Sequence, residues 1–119
     1  MTEQKKIQRK HSNKVLSKIV ATDSVVYLAG QVAEDTSQDV AGQTKQILDK
    51  IDELLAEVGS DNTKLLSVII WLANIEDKDA MNDVWFNWID ATNTPARACV
   101  ESRLARSDIL VEMKVEAAR

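Results

Sequence analysis

The sequence predicts an α+β fold in which a mixed β-sheet carries two helices on one of its faces. Two stretches have the three- and four-residue apolar spacing of helices, and the other apolar stretches are short and rich in β-branched residues, as strands are. In chain order these elements give β-β-α-β-α-β-β. The chain has 119 residues, which suffice for one core but not for two, so we expect a single domain over residues 1–119.

The first two predicted strands form a hairpin. Ile19–Thr22 and Val25–Ala29 are short apolar stretches with β-branched residues. Asp23 and Ser24, which join them, are residue types that favour turns. We therefore expect two neighbouring antiparallel strands near the start of the chain.

The first helix has the clearest pattern in the sequence. Thr36 with Asp39 three residues on resembles a capping box at its start, and Gly59 suits the position just after its end. The helix should bury one largely apolar face, made of Val40, Thr44, Ile47, Leu48, Ile51, Leu54, Leu55 and Val58.

A strand and a second helix come next. Lys64–Ala73 is almost continuously apolar, which predicts a strand buried on both faces. The second helix must end before Pro95, because proline disfavours helical backbone at the residue before it. Its predicted core stripe is Met81, Val84, Trp85, Trp88 and Ile89.

The last two predicted strands, Arg97–Leu104 and Ile109–Ala117, each alternate between two sets of side chains. We expect the small and apolar sets, which include Ala98 and Val100, to lie under the helices. If the two strands pair, the uncovered face then carries a group of polar and ionisable side chains, namely Arg97, Cys99 and Glu112.

An uncovered sheet face predicts self-association. The apolar central strand needs contact on its second face, and each Leu or Ile side chain left in water forgoes about 1.5–3 kcal/mol. Association through the open face removes that loss. Polar residues at the edge of such an interface line clefts between subunits, where small ligands commonly bind.

Composition and charge argue against several functions. The net charge of −4 disfavours a surface that follows nucleic-acid phosphates. We interpret the cationic N-terminal run, Lys5, Lys6, Arg9 and Lys10, as a solvated segment. There is one cysteine, which excludes an internal disulfide. No membrane span, signal peptide or zinc-ligand spacing is visible, so we expect a cytoplasmic protein without a metal, a nucleic-acid partner or a membrane partner.

Four segments carry a resemblance to a known family: Val26–Gln31, Gln43–Gly59, Met81–Trp85 and Pro95–Glu101. They resemble the RidA/YjgF family and, within it, the YoaB-like branch. Glu112 follows Cys99 by thirteen residues, the spacing expected for the acidic residue of that family. The similarity extends from about residue 15 to the C-terminus.

The resemblance implies a chorismate-mutase-like fold that assembles as a trimeric barrel with clefts between subunits. It implies hydrolysis of reactive 2-imino and enamino acids to 2-oxo acids and ammonia, without a cofactor. In that scheme Arg97 holds the substrate carboxylate and Glu112 acts as the general base. The substrate-binding residues are Arg97, Cys99, Asn82, Ala29, Gly30 and Ser17.

Two departures from the family pattern leave an alternative open. The best-known members have Ser at the position of Ala29, and an N-terminal Tyr where this chain has a segment containing Ser17. A non-catalytic trimer that binds a small carboxylate is the second hypothesis, and RNA cleavage is a third that the acidic balance disfavours. Arg97 and Glu112 could also form a structural ion pair, and Cys99 could be simply a small buried residue.

Overall fold

The computed structural model describes residues 6–119. Within them a six-stranded mixed sheet is covered on one face by two helices, which is the predicted fold class. The strand order is β1-β2-β3-β6-β4-β5, and all neighbours are antiparallel except β4 and β5. The elements are β1 Gln8–Ser12, β2 Ser17–Ala21, β3 Val25–Leu28, α1 Val40–Ala56, β4 Leu65–Leu72, α2 Lys78–Trp88, β5 Ala96–Glu101 and β6 Val111–Ala118.

The N-terminal edge strand β1 is an element that the sequence pattern did not predict. Lys6 and Arg9 are exposed as expected, but residues 8–12 also pair with β2. Charged side chains are common on edge strands, where they discourage pairing with other molecules. Both faces of β1 are largely exposed to solvent. Its sequence therefore lacks the alternation of apolar and polar residues that would have predicted a strand. Lys5 lies outside the described residues.

The start of α1 differs from the predicted capping box. Asp39 is the N-cap residue, and its side chain accepts a hydrogen bond from the Gly42 N–H at 2.9 Å. The Thr36 hydroxyl donates instead to the Asp108 carboxylate at 2.6 Å. Thr36 therefore ties the segment before the helix to the connection before β6, which sequence spacing alone could not reveal.

The end of α1 confirms the role predicted for Gly59. Its φ of +75° lies in the left-handed region that glycine adopts without strain. The Ser60 N–H donates to the Leu55 carbonyl at 2.9 Å, and the Gly59 N–H donates to the Ala56 carbonyl at 3.3 Å. This pair of bonds is a Schellman motif, which stops the helix and turns the chain towards β4.

The core lies between the helices and one face of the sheet. Val68, Ile70 and Leu72 of β4 point into it and are almost fully buried. The opposite side of β4 is open, and Ile69 is 40% exposed. The prediction of a strand buried on both faces is therefore wrong for the single protomer, because no other part of the described chain covers the second face.

Gln43 is a buried polar residue that connects three segments. Its Nε2 donates to the carbonyls of Thr36, Gln38 and Asp108, at 3.3, 3.1 and 3.0 Å. Its Oε1 accepts from the Leu110 N–H at 2.9 Å. The amide thereby satisfies loop backbone groups and joins α1 to the residues that lead into β6.

Candidate functional site

The order of the strands decides where the predicted site residues lie. β5 and β6 do not pair with each other, because β4 lies between them. Ile70 on β4 is in register with Cys99 on one side and with Met113 on the other. Residues in register share a face, so Cys99 and its alternate neighbour Arg97 lie on the helix-covered face.

Glu112 lies on the opposite face. Its register partner is Trp71, which is also in register with Val100. The prediction that Arg97, Cys99 and Glu112 share the uncovered face is therefore right for Glu112 and wrong for the other two. A structural ion pair between Arg97 and Glu112 within one protomer is excluded for the same reason.

The prediction that Ala98 and Val100 lie under the helices is also wrong. Both lie on the open face, where Val100 is 45% exposed. The error has a physical cause. β5 is an edge strand, so its core-side residues reach the margin of the helix layer, where a long cationic side chain can pack with its charged end in water.

Arg97 belongs to a group that we call the guanidinium half-site: Arg97, Asn82, Trp85 and Cys99. Its Nη1 donates to the Asn82 side-chain oxygen at 2.8 Å. Its guanidinium carbon lies 5.0 Å from the centroid of the Trp85 ring, within range of a cation–π interaction. Between residues 6 and 119, no carboxylate lies within ion-pair distance of Arg97. The guanidinium is therefore held in place while most of its donors stay available.

Asn82 was left open between a contact residue and a solvated one, and it is a contact residue. It precedes Trp85 by one helical turn on α2, so both side chains can reach the same guanidinium. Trp85 was predicted only as a core residue, and its contact with Arg97 was missed. The three-residue spacing from Asn82 is the one sequence signal that could have indicated it.

Cys99 packs against the hydrophobic core and is only partly exposed. Burial raises the pKa of its thiol, while the positive charges of Arg97 and Lys78 partly oppose that shift. A protonated thiol is a poor nucleophile. Cys99 therefore has the properties of a small packed residue at the margin of the half-site.

Glu112 belongs to a second group, the carboxylate half-site: Glu112, Gly30 and Ala29. Burial raises the pKa of the Glu112 carboxyl group. No described residue forms a hydrogen bond or an ion pair with it. A partly buried carboxylate with a raised pKa and no partner is suited to accept a proton from a bound water.

Gly30 leaves room for that carboxylate. A Cβ at this position would lie 2.1 Å from Oε2 of Glu112. Two backbone hydrogen bonds between Gln31 and Met113, at 2.8 and 3.1 Å, hold the segment against β6. The close approach of Gly30 to Glu112 is thus fixed by the sheet.

Ala29 and Ser17 supply no hydroxyl to the carboxylate half-site. Ala29 has only a methyl side chain, and its N–H donates to the Lys18 carbonyl at 2.9 Å. The Ser17 hydroxyl is hydrogen-bonded to the Ser12 hydroxyl at 2.7 Å. Ser17 therefore lies across the strand pair from Ala29 and Gly30 but is engaged within the β1–β2 hairpin.

The two half-sites lie on opposite faces of the sheet in one protomer. Four surface cavities of the described residues, from about 250 to about 660 Å³, are lined by neither Arg97 nor Glu112. One of about 250 Å³ is lined in part by Ala29 and Gly30. The predicted site residues are therefore distributed over two surfaces of the chain.

Two further features of the described part of the chain bear on function. No group of three or more His, Cys, Asp or Glu side chains in it is arranged to hold a metal ion. Neither α1 nor α2 combines the length and apolar character that a membrane-crossing helix requires.

Comparisons with known proteins agree on one family. The family model described as Endoribonuclease L-PSP matches residues 7–119. A RutC family protein of Haemophilus influenzae is 38% identical over 110 residues, which cover 92% of this chain and 95% of that protein. RutC family protein YoaB of Escherichia coli is 34% identical over 86% of this chain and 89% of its own length. A human protein named 2-iminobutanoate/2-iminopropanoate deaminase is 31% identical over 71% of this chain and 66% of its own length.

Solved structures give the same result for the fold. The crystal structure of NMB1025 from Neisseria meningitidis, a member of the YjgF protein family, matches with a TM-score of 0.93 and 39% identity. The match covers 96% of this chain and 95% of that one. The resemblance drawn from the sequence is thereby confirmed, and the chain belongs to the YjgF/RutC family.

Proposed function

We propose that this chain is a single-domain, cytoplasmic imine deaminase, which hydrolyses reactive 2-imino and enamino acids to 2-oxo acids and ammonia. We further propose that it works as a homotrimer, with its sites in the clefts between protomers. Family membership and the name of the human relative support the activity. The observation that carries the proposal is the division of the site between two faces of the sheet.

That division supports a site shared by two protomers. The sheet separates the guanidinium half-site from the carboxylate half-site, so the two cannot meet within one chain. They can meet if the β5 margin of one protomer rests against the open face of its neighbour. Partly exposed apolar side chains on that face, such as Ile69, Val100 and Tyr27, favour such contact.

Arg97 suits the binding of a 2-imino acid. The substrate carries a carboxylate beside the reacting carbon, and a guanidinium can bind a carboxylate through two parallel hydrogen bonds. Two bonds fix the orientation as well as the position of the bound group. The imine carbon is then held at a defined distance from the anchor.

Glu112 of the neighbouring protomer suits the hydrolytic step. A water attacks the imine carbon, and the Glu112 carboxylate accepts the proton that this water loses. The proton passes from Glu112 to the imine nitrogen, which gives an amino alcohol. Glu112 then takes the proton of the new hydroxyl group and delivers it to the nitrogen, so that the carbon–nitrogen bond breaks and ammonia leaves. A 2-oxo acid remains, and the carboxylate is restored. The raised pKa makes Glu112 a stronger base than an ordinary glutamate.

A non-catalytic carboxylate-binding trimer is the second candidate. Ala29 offers no hydroxyl, and the hydroxyl of Ser17 is engaged by Ser12. The cleft would then hold a carboxylate anchor but lack a polar group that could help to activate water. Under this hypothesis, 2-oxo acids bind at Arg97 but imines are not turned over faster than in buffer.

RNA cleavage is a third candidate because the matched family model is described as an endoribonuclease. The net charge of −4 argues against it. Cleavage that copurifies with the protein, persists after removal of contaminating nucleases and weakens with salt would replace the proposed activity with this one.

One assay tests the proposal. 2-Iminopropanoate and 2-iminobutanoate are generated in situ by an amino-acid dehydratase, and 2-oxo acid release is measured with and without the protein. We expect acceleration by the wild-type protein, and a loss of about 100-fold in kcat/KM for Arg97→Ala, because two charge-assisted hydrogen bonds are removed. Arg106→Ala is the matched control, since Arg106 is an exposed arginine paired with Asp108. No acceleration, together with binding of 2-oxobutanoate, would favour the second candidate.

A further inference from the structure

The guanidinium of Arg97 is constrained on two sides by α2. Asn82 occupies Nη1, and the ring of Trp85 lies 5.0 Å from the guanidinium carbon. Trp85 is 4% exposed, so its ring is fixed by the core around it. An exposed arginine without such contacts loses considerable side-chain entropy when it binds a ligand.

We propose that Trp85 is a positioning residue for carboxylate binding: its indole face and the Asn82 amide together hold Arg97 with one edge presented to the ligand. This inference rests on the proposed function, because it assumes that Arg97 binds the substrate carboxylate. Trp85 acts only through Arg97, by fixing the plane of the guanidinium before the ligand arrives.

The same contacts indicate which edge of the guanidinium binds. A carboxylate can bind through Nη1 and Nη2 or through Nε and Nη2. Asn82 already takes one of the donors of Nη1, whereas Nε and Nη2 have no acceptor among residues 6–119. Nε and Nη2 form the edge whose donors are all free, so the proposed complex places the carboxylate oxygens there and keeps the Asn82 bond to Nη1.

Trp88 provides a comparison within the same helix. Its ring packs against that of Trp85, with centroids 5.4 Å apart, and its indole N–H donates to Asp52 at 3.0 Å. Its ring makes no cation–π contact with Arg97. Replacing Trp88 therefore removes aromatic packing of a similar kind while leaving the face under the guanidinium in place.

The first test measures binding of 2-oxobutanoate to the assembled protein by calorimetry. Trp85→Met should weaken binding by between about 3-fold and 30-fold, the range expected for a cation–π contact. Trp85→Phe keeps a π face and should restore most of that loss. Trp88→Met should bind as the wild-type protein does. Turnover should show the loss in KM more than in kcat.

The second test does not depend on a substitution in the core. Fluorinated tryptophan keeps the shape of the ring but withdraws charge from its face, which weakens a cation–π contact. Incorporated at every tryptophan, it should weaken 2-oxobutanoate binding in the wild-type protein and leave Trp85→Phe unchanged. A crystal structure of the complex should show the carboxylate at Nε and Nη2 of Arg97.

The outcomes separate the two proposals. If the wild-type protein does not bind 2-oxobutanoate, or if Arg97→Ala binds it equally well, the proposed function fails. If Arg97→Ala abolishes binding while fluorinated tryptophan has no effect and Trp85→Met matches Trp88→Met, only the role of Trp85 is overturned. A carboxylate found at Nη1 in place of Asn82 would overturn the assignment of the edge.

Discussion

The two faces of the sheet differ in the contacts that their side chains make within the protomer. On the helix-covered face, Val68 and Met113 pack against the chain's own helices, and Arg97 is held by Asn82 and Trp85. On the open face, apolar side chains are partly exposed, and Glu112 has no hydrogen-bond partner among residues 6–119. The guanidinium half-site is therefore organised by contacts within the protomer, whereas the carboxylate half-site presents Glu112 on a face that the described chain leaves open.

The largest expected effect comes from placing a charge on the open face. Ile69→Asp should prevent assembly and nearly abolish imine hydrolysis, because a carboxylate buried in an apolar interface is strongly unfavourable. The mass in solution is measured by light scattering alongside the assay. Ile75→Asp is the control, since Ile75 is 39% exposed against 40% for Ile69 but lies outside the sheet. Assembly and activity that survive Ile69→Asp would show that the open face is not the interface.

Mixing two inactive variants tests whether Arg97 and Glu112 act from different protomers. Arg97→Ala and Glu112→Gln protomers, co-assembled in equal amounts, should recover about a quarter of wild-type activity, because one interface in four then combines an intact Arg97 with an intact Glu112. Activity per protomer is measured after co-expression. As a control, Arg97→Ala protomers mixed with protomers that carry both substitutions should recover no activity. No recovery in the first mixture would mean that both groups act from one protomer.

Gly30→Ala should affect the carboxylate half-site alone. The added Cβ would displace the Glu112 carboxylate, which lies at the end of a flexible side chain, so folding should be little affected. A misplaced base should lower kcat by roughly 10- to 100-fold. Gly42→Ala is the control, because its Cβ would meet the side-chain oxygen of Gln38 instead. Equal kcat values for Gly30→Ala and Gly42→Ala would show that Gly30 does not affect the catalytic position of Glu112.

The smallest expected effect concerns stability. The pKa of Glu112 is raised in the folded protein, so its contribution to stability is full below the ordinary glutamate pKa and is lost as the pH rises through the raised value. Glu112→Gln should therefore raise Tm at neutral pH by a few degrees at most, and the difference should vanish in acid. Thermal unfolding of Glu116→Gln, on the same face of β6, gives the baseline. A lower Tm for Glu112→Gln at neutral pH would contradict the sign of the shift.

The features that sequence predicted correctly are mostly local. The stripe of α1 and the stop at Gly59 depend on residues a few positions apart, and both are confirmed. The face of Glu112 was also correct, because Val111 and Met113 beside it are plainly core residues. Short-range periodicity determines these features, so one sequence is enough to find them.

The features that sequence missed depend on which strands are neighbours. The alternation along β5 separates Arg97 and Cys99 from Ala98 and Val100, but it does not say which set faces the helices. That choice follows from the parallel pairing with β4, which brings together residues far apart in the chain. Hydrophobicity misleads here because the covered side of an edge strand accommodates a cation on an indole face.

The buried amide of Gln43 anchors the start of β6, the strand that carries Glu112. Its Oε1 accepts a hydrogen bond from the Leu110 N–H, one residue before β6 begins at Val111, and Glu112 lies two residues after Leu110. The Gln43 side chain, in the helix layer, thus helps to fix the position of the Glu112 carboxylate on the opposite face of the sheet. Residues 102–107 precede this anchor, so we expect that the length of this loop can change without moving Glu112.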